Sequence, residues 1–480
     1  MTIKQQGTTF TFHSSSKDSI NTSKVVTQSG VHFVVMQQEV PTKRTTPKSV
    51  RWSVSFLFMY ATIYCFHVHL RLRLIQTKDL QSRENNIITD HFRSVIPGSS
   101  DVFVFSAFGI HSDSDDFSQS DNVTVSISSV VDMDSPVRDY KCILRRKESP
   151  TAIWTKATLQ LYPESHGRRF TAAAFSCMVK DVIDLDTVSL VADNKENPAV
   201  VLPIMFPSEA KRTFTVCVPP LNSRYSKAYQ LVEMVEVGRL LGADHYFFYN
   251  YSTEWNVDVV LNHYKSRGLA TIIQWSLPLA LQINGTDGTS EEARLHYFGQ
   301  LVMLNDCLNR NRGASKYVIF QDLDELLIPK NHQSWNDMLN SLPANMAAYM
   351  FRSSFFHLDW PNTGLDSNVI NEIAKPYKAY AFIKQYREER IFGRSVRSKY
   401  IVDPLQVQVV GVHNVWKFRK GGKSYHVPPE VALVHHYREM KQNQQIRSQR
   451  DNSTLRYIGA LYQIQRTWRS LLHIPLGPMN

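Results

Sequence analysis

From Thr213 the chain changes rhythm repeatedly, and each change predicts an element. Thr213-Phe-Thr-Val-Cys-Val is an unbroken apolar and β-branched run, which predicts a buried strand ending at Pro219-Pro220. Lys227 to Leu241 shows the three-to-four spacing of a helix and stops at Gly242. His245-Tyr-Phe-Phe-Tyr predicts a second strand and Val257 to Lys265 a second helix, which stops before Gly268. Ala270-Thr-Ile-Ile, the amphipathic stretch Leu295 to Leu308 and Lys316-Tyr-Val-Ile-Phe predict a third strand, a long helix and a fourth strand. Strands alternating with helices predict βαβ units and a mostly parallel sheet in an α/β domain over residues 211–475.

Upstream the rhythm differs. Asp101-Val-Phe-Val-Phe, Val123-Thr-Val-Ser-Ile, Ala152-Ile-Trp and Ala199-Val-Val-Leu-Pro-Ile are short β-type runs between polar turns. That spacing predicts a small β-sandwich-like domain over 100–210. Residues 1–51, rich in Ser, Thr, Gln and Lys, read as a disordered cytoplasmic tail, and 71–99 as a polar stem. Between them, residues 52–70 (WSVSFLFMYATIYCFHVHL) hold no Lys, Arg, Asp or Glu. Nineteen helical residues span about 28 Å, close to the ~30 Å hydrocarbon core of a bilayer. A cleaved signal peptide starts at the N-terminus, so this segment reads as an uncleaved, single-pass signal anchor. Lys43, Arg44, Lys48 and Arg51 precede it, which favours a cytosolic tail and a lumenal body, although Arg71, Arg73 and Lys78 follow.

Composition narrows the classes. The chain has 480 residues, with 43% hydrophobic and 20% charged, so most of it should fold, in more than one domain. The net charge is +11, and the first 51 residues carry +5 of it, leaving a mild excess without long basic runs. That argues against a nucleic-acid partner. Cys65 falls in the apolar segment, while Cys142, Cys177, Cys217 and Cys307 form an even set without a CxxC pair. Two disulfides in an oxidising lumen, with three connectivities open, compete with buried free thiols. Sequons at Asn122, Asn250, Asn284 and Asn452 fit lumenal exposure, whereas Asn21 falls in the tail.

The candidate chemistry lies at the end of the fourth strand, in Gln321-Asp-Leu-Asp-Glu. Ligands of open α/β sheets bind beyond the carboxyl ends of the strands. Two Asp at i and i+2 leaving a buried strand can turn toward one cleft, where one ligates a divalent metal and the other holds a ribose or a metal-bound water. Such a metal neutralises a departing diphosphate without consuming a proton. An acidic surface turn is the competing reading, and the preceding strands weigh against it.

Leu240-Leu-Gly-Ala-Asp-His-Tyr-Phe-Phe-Tyr, Lys316-Tyr-Val-Ile-Phe-Gln-Asp-Leu-Asp-Glu, Arg397-Ser-Lys-Tyr-Ile-Val, Gly411-Val-His-Asn-Val-Trp and Leu433-Val-His-His-Tyr-Arg occur in this order. Together, over about residues 212 to 440, they resemble glycosyltransferase family 92. The resemblance implies a single Rossmann-like nucleotide-sugar domain of GT-A type. It also implies inverting, metal-dependent hexose transfer, often of galactose from UDP-galactose, to a glycan acceptor. Asp322 and Asp324 match the family's acidic motif, and Mn2+ is the expected metal. A Golgi membrane protein of type II topology, its catalytic domain lumenal, follows from the resemblance and the apolar segment together.

A further metal ligand is expected downstream. His435 and His436 follow the apolar run Val431-Ala-Leu-Val, and imidazole serves Mn2+ alongside carboxylates. The resemblance favours His436, with His435 second, and a structural histidine competes. Arg397 and Lys399 lie in the basic stretch Arg394-Ser-Val-Arg-Ser-Lys and can bind donor phosphates, or simply be solvated. His413 and Trp416 are candidates for an acceptor pocket. Inverting transfer needs a general base. Asp359, Glu388, Glu389 and Glu430 are candidates, with Asp359 preferred because its aromatic setting can raise a carboxyl pKa by desolvation. A catalytically silent glycan-binding module and a metal phosphohydrolase are the rival classes. The intact Asp322, Asp324 and His436 argue against the first. The missing second ligand cluster argues against the second.

Overall fold

In a computed structural model of the chain, residues 91–479 are described apart from 112–122, 148, 150, 181–183, 194–196, 208–210, 283–293, 362–367, 369 and 441–445. N-terminal to them, Ile3–Gln5, Thr8–Phe10, Ser23–Gln28 and Val31–Met36 form a four-stranded antiparallel sheet. The chain divides into residues 1–87 and 88–480. The apolar segment 52–70 lies outside the described residues, and among the described residues no helix is long and apolar enough to cross a membrane.

The strands expected after residue 212 are present. We label them β1 (Arg212–Leu221), β2 (Ala243–Asn250), β3 (Ala270–Gln274) and β4 (Ser315–Phe320). They lie in the order β3-β2-β1-β4 and run parallel. Strand β1 runs through Pro219-Pro220 to Leu221, and its pairing with β2 shifts register between Val218 and Leu221. Helices α1 (Ala228–Leu241) and α2 (Trp255–Ser266) make the crossovers. Gly242 caps α1 at φ 115°, where a side chain would be strained.

Past the acidic motif come β5 (Glu325–Pro329), β6 (Ala348–Phe351), β7 (Ser353–His357), β8 (Lys399–Val402), β9 (Ser424–His426) and β10 (Ala432–Arg438). The main sheet continues from β4 through β8, β6 and β9, and β8 runs antiparallel to both of its neighbours. The expected mostly parallel sheet is therefore a mixed seven-stranded one. Parallel pairing needs a crossover laid over the sheet. Strand β8 follows the irregular stretch 389–398 instead. A smaller sheet, β5-β10-β7, stands at the end of the motif.

The third helix differs from its expected span. Helix α3 covers Gln300–Arg310, and His296–Gly299 forms a separate tight turn before it. Tyr297 (φ 42°), Phe298 (φ 55°) and Gly299 (φ 78°) are all left-handed. Each non-glycine residue held there costs on the order of 1–3 kcal/mol, so surrounding contacts must impose the turn. One is the Trp275 indole, which donates to the Phe298 carbonyl at 2.7 Å.

The β-rich region is one continuous sheet rather than two packed layers. Seven strands, from Val102–His111 to Leu202–Met205, follow one another edge to edge. The last pairs in parallel with the first at Ile204 and Ala107, which closes the sheet as in a barrel. Its long central strands, Val123–Asp132 and Phe170–Val179, pair over ten residues and so carry the curvature. Cys142 and Cys177 are bonded inside it.

This barrel shares a core with the sheet domain. Phe92, Phe103, Phe105 and Phe170 pack with Trp275, Leu301, Leu304 and Phe320. Asp306 on α3 ties the layers, accepting from Ser106 of the barrel and Tyr249 of β2, each at 2.5 Å, and pairing with Arg310 at 2.6 Å. Cys217 of β1 is bonded to Cys307 of α3. On the opposite face, α1, α2 and the C-terminal helix Gly459–Ser470 cover the sheet with a second core.

Candidate active site

An open cleft of about 880 Å3 lies beyond the carboxyl ends of β1 and β4. The end of β1 and the chain that follows it, residues 218–227, line it together with Asp322, Leu323, Asp324 and Glu325. The motif bends because the Glu325 amide donates to the Asp322 carbonyl at 3.1 Å, a tight turn between β4 and β5. Strand β10 then pairs antiparallel with β5, setting His436 opposite Glu325.

That register assembles the site. His436 Nε2 lies 3.1 Å from Asp324 Oδ2, and its Nδ1 lies 3.2 Å from Glu325 Oε1. Burial alone would lower the His436 pKa, but Asp324 and then Glu325 more than offset it and raise it to about 10. Glu325 is almost fully buried, and burial raises its carboxyl. Lys399 and His436 outweigh burial and hold it below its ordinary value. His435 points the other way, as alternation along a strand requires. It is fully buried against the Phe356 ring at 4.2 Å and accepts or donates at 3.1 Å with the Tyr437 hydroxyl. Burial lowers its pKa to about 4.

Lys399 departs from expectation. It sits on β8, 3% exposed, with its ammonium 3.0 Å from Asp322 Oδ2 and 3.2 Å from Glu325 Oε2. Burial opposes its charge, and the two carboxylates reverse that effect and raise its pKa. It is a buried counter-ion of the motif and not a phosphate-facing loop residue, because β8 begins at this position. Arg397, two residues earlier, does line the cleft. Its guanidinium lies 5.3 Å from the Phe355 ring centroid, and that of Arg438 lies 4.7 Å away. Arg438 went unnoticed in the sequence, yet alternation along β10 places it on the same face as His436.

The other candidates divide. His413 lines the cleft with Nδ1 3.3 Å from the Ser398 carbonyl, and burial lowers its pKa. Trp416 lies outside the cleft lining, against Gly411, where any Cβ would run into the indole. Asp359 also lies outside the lining, and its Oδ2 accepts the Met440 amide at 2.7 Å. Glu388 is buried and pairs with His357 at 2.8 Å, while Glu389 and Glu430 are exposed elsewhere. Glu439, which follows Arg438, is the cleft-lining carboxylate outside the motif. The Asn250 sequon is occupied internally, since its amide donates to Asp258 at 3.1 Å, whereas Asn452 is exposed.

Among the described residues no three His, Cys, Asp or Glu groups have metal-cage geometry. Asp324 Oδ2 and His436 Nε2 do have the spacing of adjacent ligands on one ion, since two donors at ~2.1 Å and a right angle lie ~3 Å apart. Cations that keep waters and substrate phosphates need only one or two side chains. The arrangement therefore fits a metal on Asp324 and His436 once the cation displaces the imidazole proton, because only the neutral ring ligates. Asp322 is drawn aside to Lys399, and its Oδ1 is buried without a hydrogen-bond partner.

Comparison with known proteins places the sheet domain in a family. The model of the family "Glycosyltransferase family 92" matches residues 212–469, more than half of the chain. The "Beta-1,4-galactosyltransferase galt-1" of Caenorhabditis elegans is 24% identical over 319 residues, spanning 63% of this chain and 68% of that protein. A galactan beta-1,4-galactosyltransferase of Arabidopsis thaliana is 29% identical over 143 residues, covering 30% of this chain and 26% of that one. Among solved structures, the glucosyl-3-phosphoglycerate synthase of Mycobacterium tuberculosis aligns over 55% of this chain and 82% of its own at 12% identity, with a TM-score of 0.23. On the match of its sheet domain, the chain belongs to glycosyltransferase family 92.

Proposed function

We propose that the chain transfers a hexose, galactose by preference, from a UDP-sugar to a glycan acceptor with inversion, and that it requires a divalent cation such as Mn2+. The observation that carries this reading is the pair Asp324–His436 beside an Asp322 whose Oδ1 has no partner, lining a cleft beyond the parallel strands. The names of the curated relatives supply the preference for galactose.

Each residue then has a task. Asp324 and His436 hold the cation, which when bound neutralises the charge on the leaving diphosphate. Arg397 and Arg438 flank Phe355 at the cleft wall and can bind the diphosphate oxygens as fixed cations. Asp322 Oδ1, which has no hydrogen-bond partner within the fold, would accept from a ribose hydroxyl. Lys399 and Glu325 keep Asp322 and His436 in position. The acceptor hydroxyl must lose its proton to a base on the open side of the cleft. Glu439 takes that role from Asp359, whose carboxylate is engaged with the Met440 amide.

The disulfides Cys142–Cys177 and Cys217–Cys307 support folding in an oxidising compartment. A type II Golgi protein anchored by residues 52–70 is the setting we propose. The experiment is a panel of UDP-sugars with Mn2+ and glycan acceptors, following UDP release and product anomeric configuration. Asp324→Asn should lose activity by about two to three orders of magnitude or more with its melt unchanged. Glu439→Gln should lose turnover but keep UDP binding. UDP binding without transfer to any acceptor would favour the silent glycan-binding module instead.

A further inference from the structure

The barrel sends one turn, residues 162–169, to the transferase cleft, and this turn touches two separate walls. Glu164 Oε2 accepts the Val412 amide at 2.9 Å, which pins the loop that carries His413. His166, itself left-handed at φ 53°, stacks on His296 with ring centroids 3.7 Å apart and planes 21° from parallel. At the base of the turn the Phe170 amide donates to the Arg294 carbonyl at 3.0 Å, and Phe170 bridges to Leu295. Val412, His413, His296 and Tyr297 all line the cleft.

The second wall is the one that needs holding. Tyr297 and Phe298 keep their left-handed backbone only where surrounding contacts impose it. The stack on His296 and the bridge at Leu295 are contacts of that kind, made immediately before the strained pair. Without them, the segment from Leu295 can relax toward the continuous helix that its amphipathic pattern favours, which would move Tyr297.

From this geometry we infer that the barrel turn, through Glu164 and His166, is a positioning element that sets the acceptor end of the cleft. The inference rests on the transferase reading. In the transferase reading the acidic motif serves the donor, and the contacts described for the turn fall neither on it nor on the segment 218–227. Glu164 and His166 are positioning residues and act through Val412 and through His296–Tyr297. The ligand class they govern is a glycan acceptor, whose sugar ring would meet Tyr297 and His413.

The test uses the protein with its barrel intact and four variants. Glu164→Ala and His166→Ala remove the contacts, while Glu164→Gln and His166→Phe retain a carbonyl acceptor and a stacking ring. UDP affinity with Mn2+ is measured first, then transfer from UDP-galactose to a galactose-terminated oligosaccharide. The expected result is an acceptor KM raised about tenfold in each alanine variant, with kcat and UDP affinity within twofold of wild type. The conservative variants should recover most of that loss. Unchanged acceptor KM in both alanine variants would overturn the inference, as would loss of UDP affinity in step with acceptor KM, which marks general unfolding. Wild-type protein that neither bound UDP nor transferred sugar would defeat the transferase reading itself, and that result precedes any comparison of variants.

Discussion

Glu325 and His436 face one another across an antiparallel ladder, and this single register brings the candidate metal ligands together. Because Glu325 opposes His436, Asp324 one residue earlier meets the same imidazole at 3.1 Å from the cleft side. A one-residue slip would present the buried His435 instead and turn every β10 side chain to the other face.

The two histidines should therefore separate cleanly. His436→Ala should weaken Mn2+ dependence by at least the 10–100-fold typical of losing a supporting contact at a metal. His435→Ala should leave the Mn2+ titration in place and lower the melting temperature, since it opens a gap beside Phe356. Metal titrations of activity beside thermal melts decide this. Equal, negligible shifts in both titrations would remove the imidazoles from the site.

Lys399 offers a test of structure against substrate binding. Lys399→Met leaves the buried Glu325 and the neighbouring Asp322 without their cation. Breaking a buried pair this way typically costs about 3–5 kcal/mol. Adding Glu325→Gln should recover part of the loss, because it removes the stranded charge. Calorimetry of the single and double variants gives the answer. A Lys399→Met protein with a wild-type melt and weakened UDP binding would restore the phosphate-binding role expected from sequence.

The sequence disclosed the parallel strands and the acidic motif because both are local patterns. Strand periodicity after Thr213 and the Gly242 stop are written within a few residues of where they act. The site's second half was harder. The choice between His435 and His436 depends on which face of β10 meets the cleft, and that depends on pairing with β5, which brings His436 to Asp324 across 112 positions. Lys399 looked like a loop cation because Arg394-Ser-Val-Arg-Ser is polar, but the strand starts at Lys399 itself. The break before α3 was invisible because its amphipathic pattern continues through Leu295–Gly299. Contacts from Trp275 and the barrel override that pattern. The barrel's closure depends on a two-residue parallel pairing between its first and last strands, which local alternation does not encode.

The Cys217–Cys307 bond should be structural and inaccessible. Both cysteines are fully buried, and the bond fixes α3 to β1 across a separation of 90 residues. The chain-entropy model gives about 4.6 kcal/mol for a loop of that size. A Cys217→Ala/Cys307→Ala protein should unfold at lower denaturant by that order. Thiol labelling of the native protein should find neither sulfur, and labelling should appear only after the protein is both unfolded and treated with a reductant. Labelling of both in the folded, unreduced protein would show the bond to be absent.

Glu233 predicts how stability changes with pH, away from the metal ligands. It is buried on α1, where its Oε1 accepts the Ala381 amide at 2.7 Å. Burial pushes its pKa up to about 8, only partly offset by that amide. The folded chain therefore keeps a proton that the unfolded chain has lost between about pH 4.5 and pH 8. Stability from this group is complete below the ordinary carboxyl pKa and is lost as pH rises through the folded one. Each pKa unit of difference corresponds to about 1.4 kcal/mol, so the total is of the order of a few kcal/mol. Glu233→Gln keeps the carbonyl that accepts from Ala381 and cannot ionise. Relative to the wild type, it should gain stability steadily as pH is raised from 5 to 8 and hold that gain above. Melting both proteins across this range measures the difference directly. Parallel curves would mean that Glu233 ionises normally in the fold, and the buried-carboxyl argument for α1 would fail.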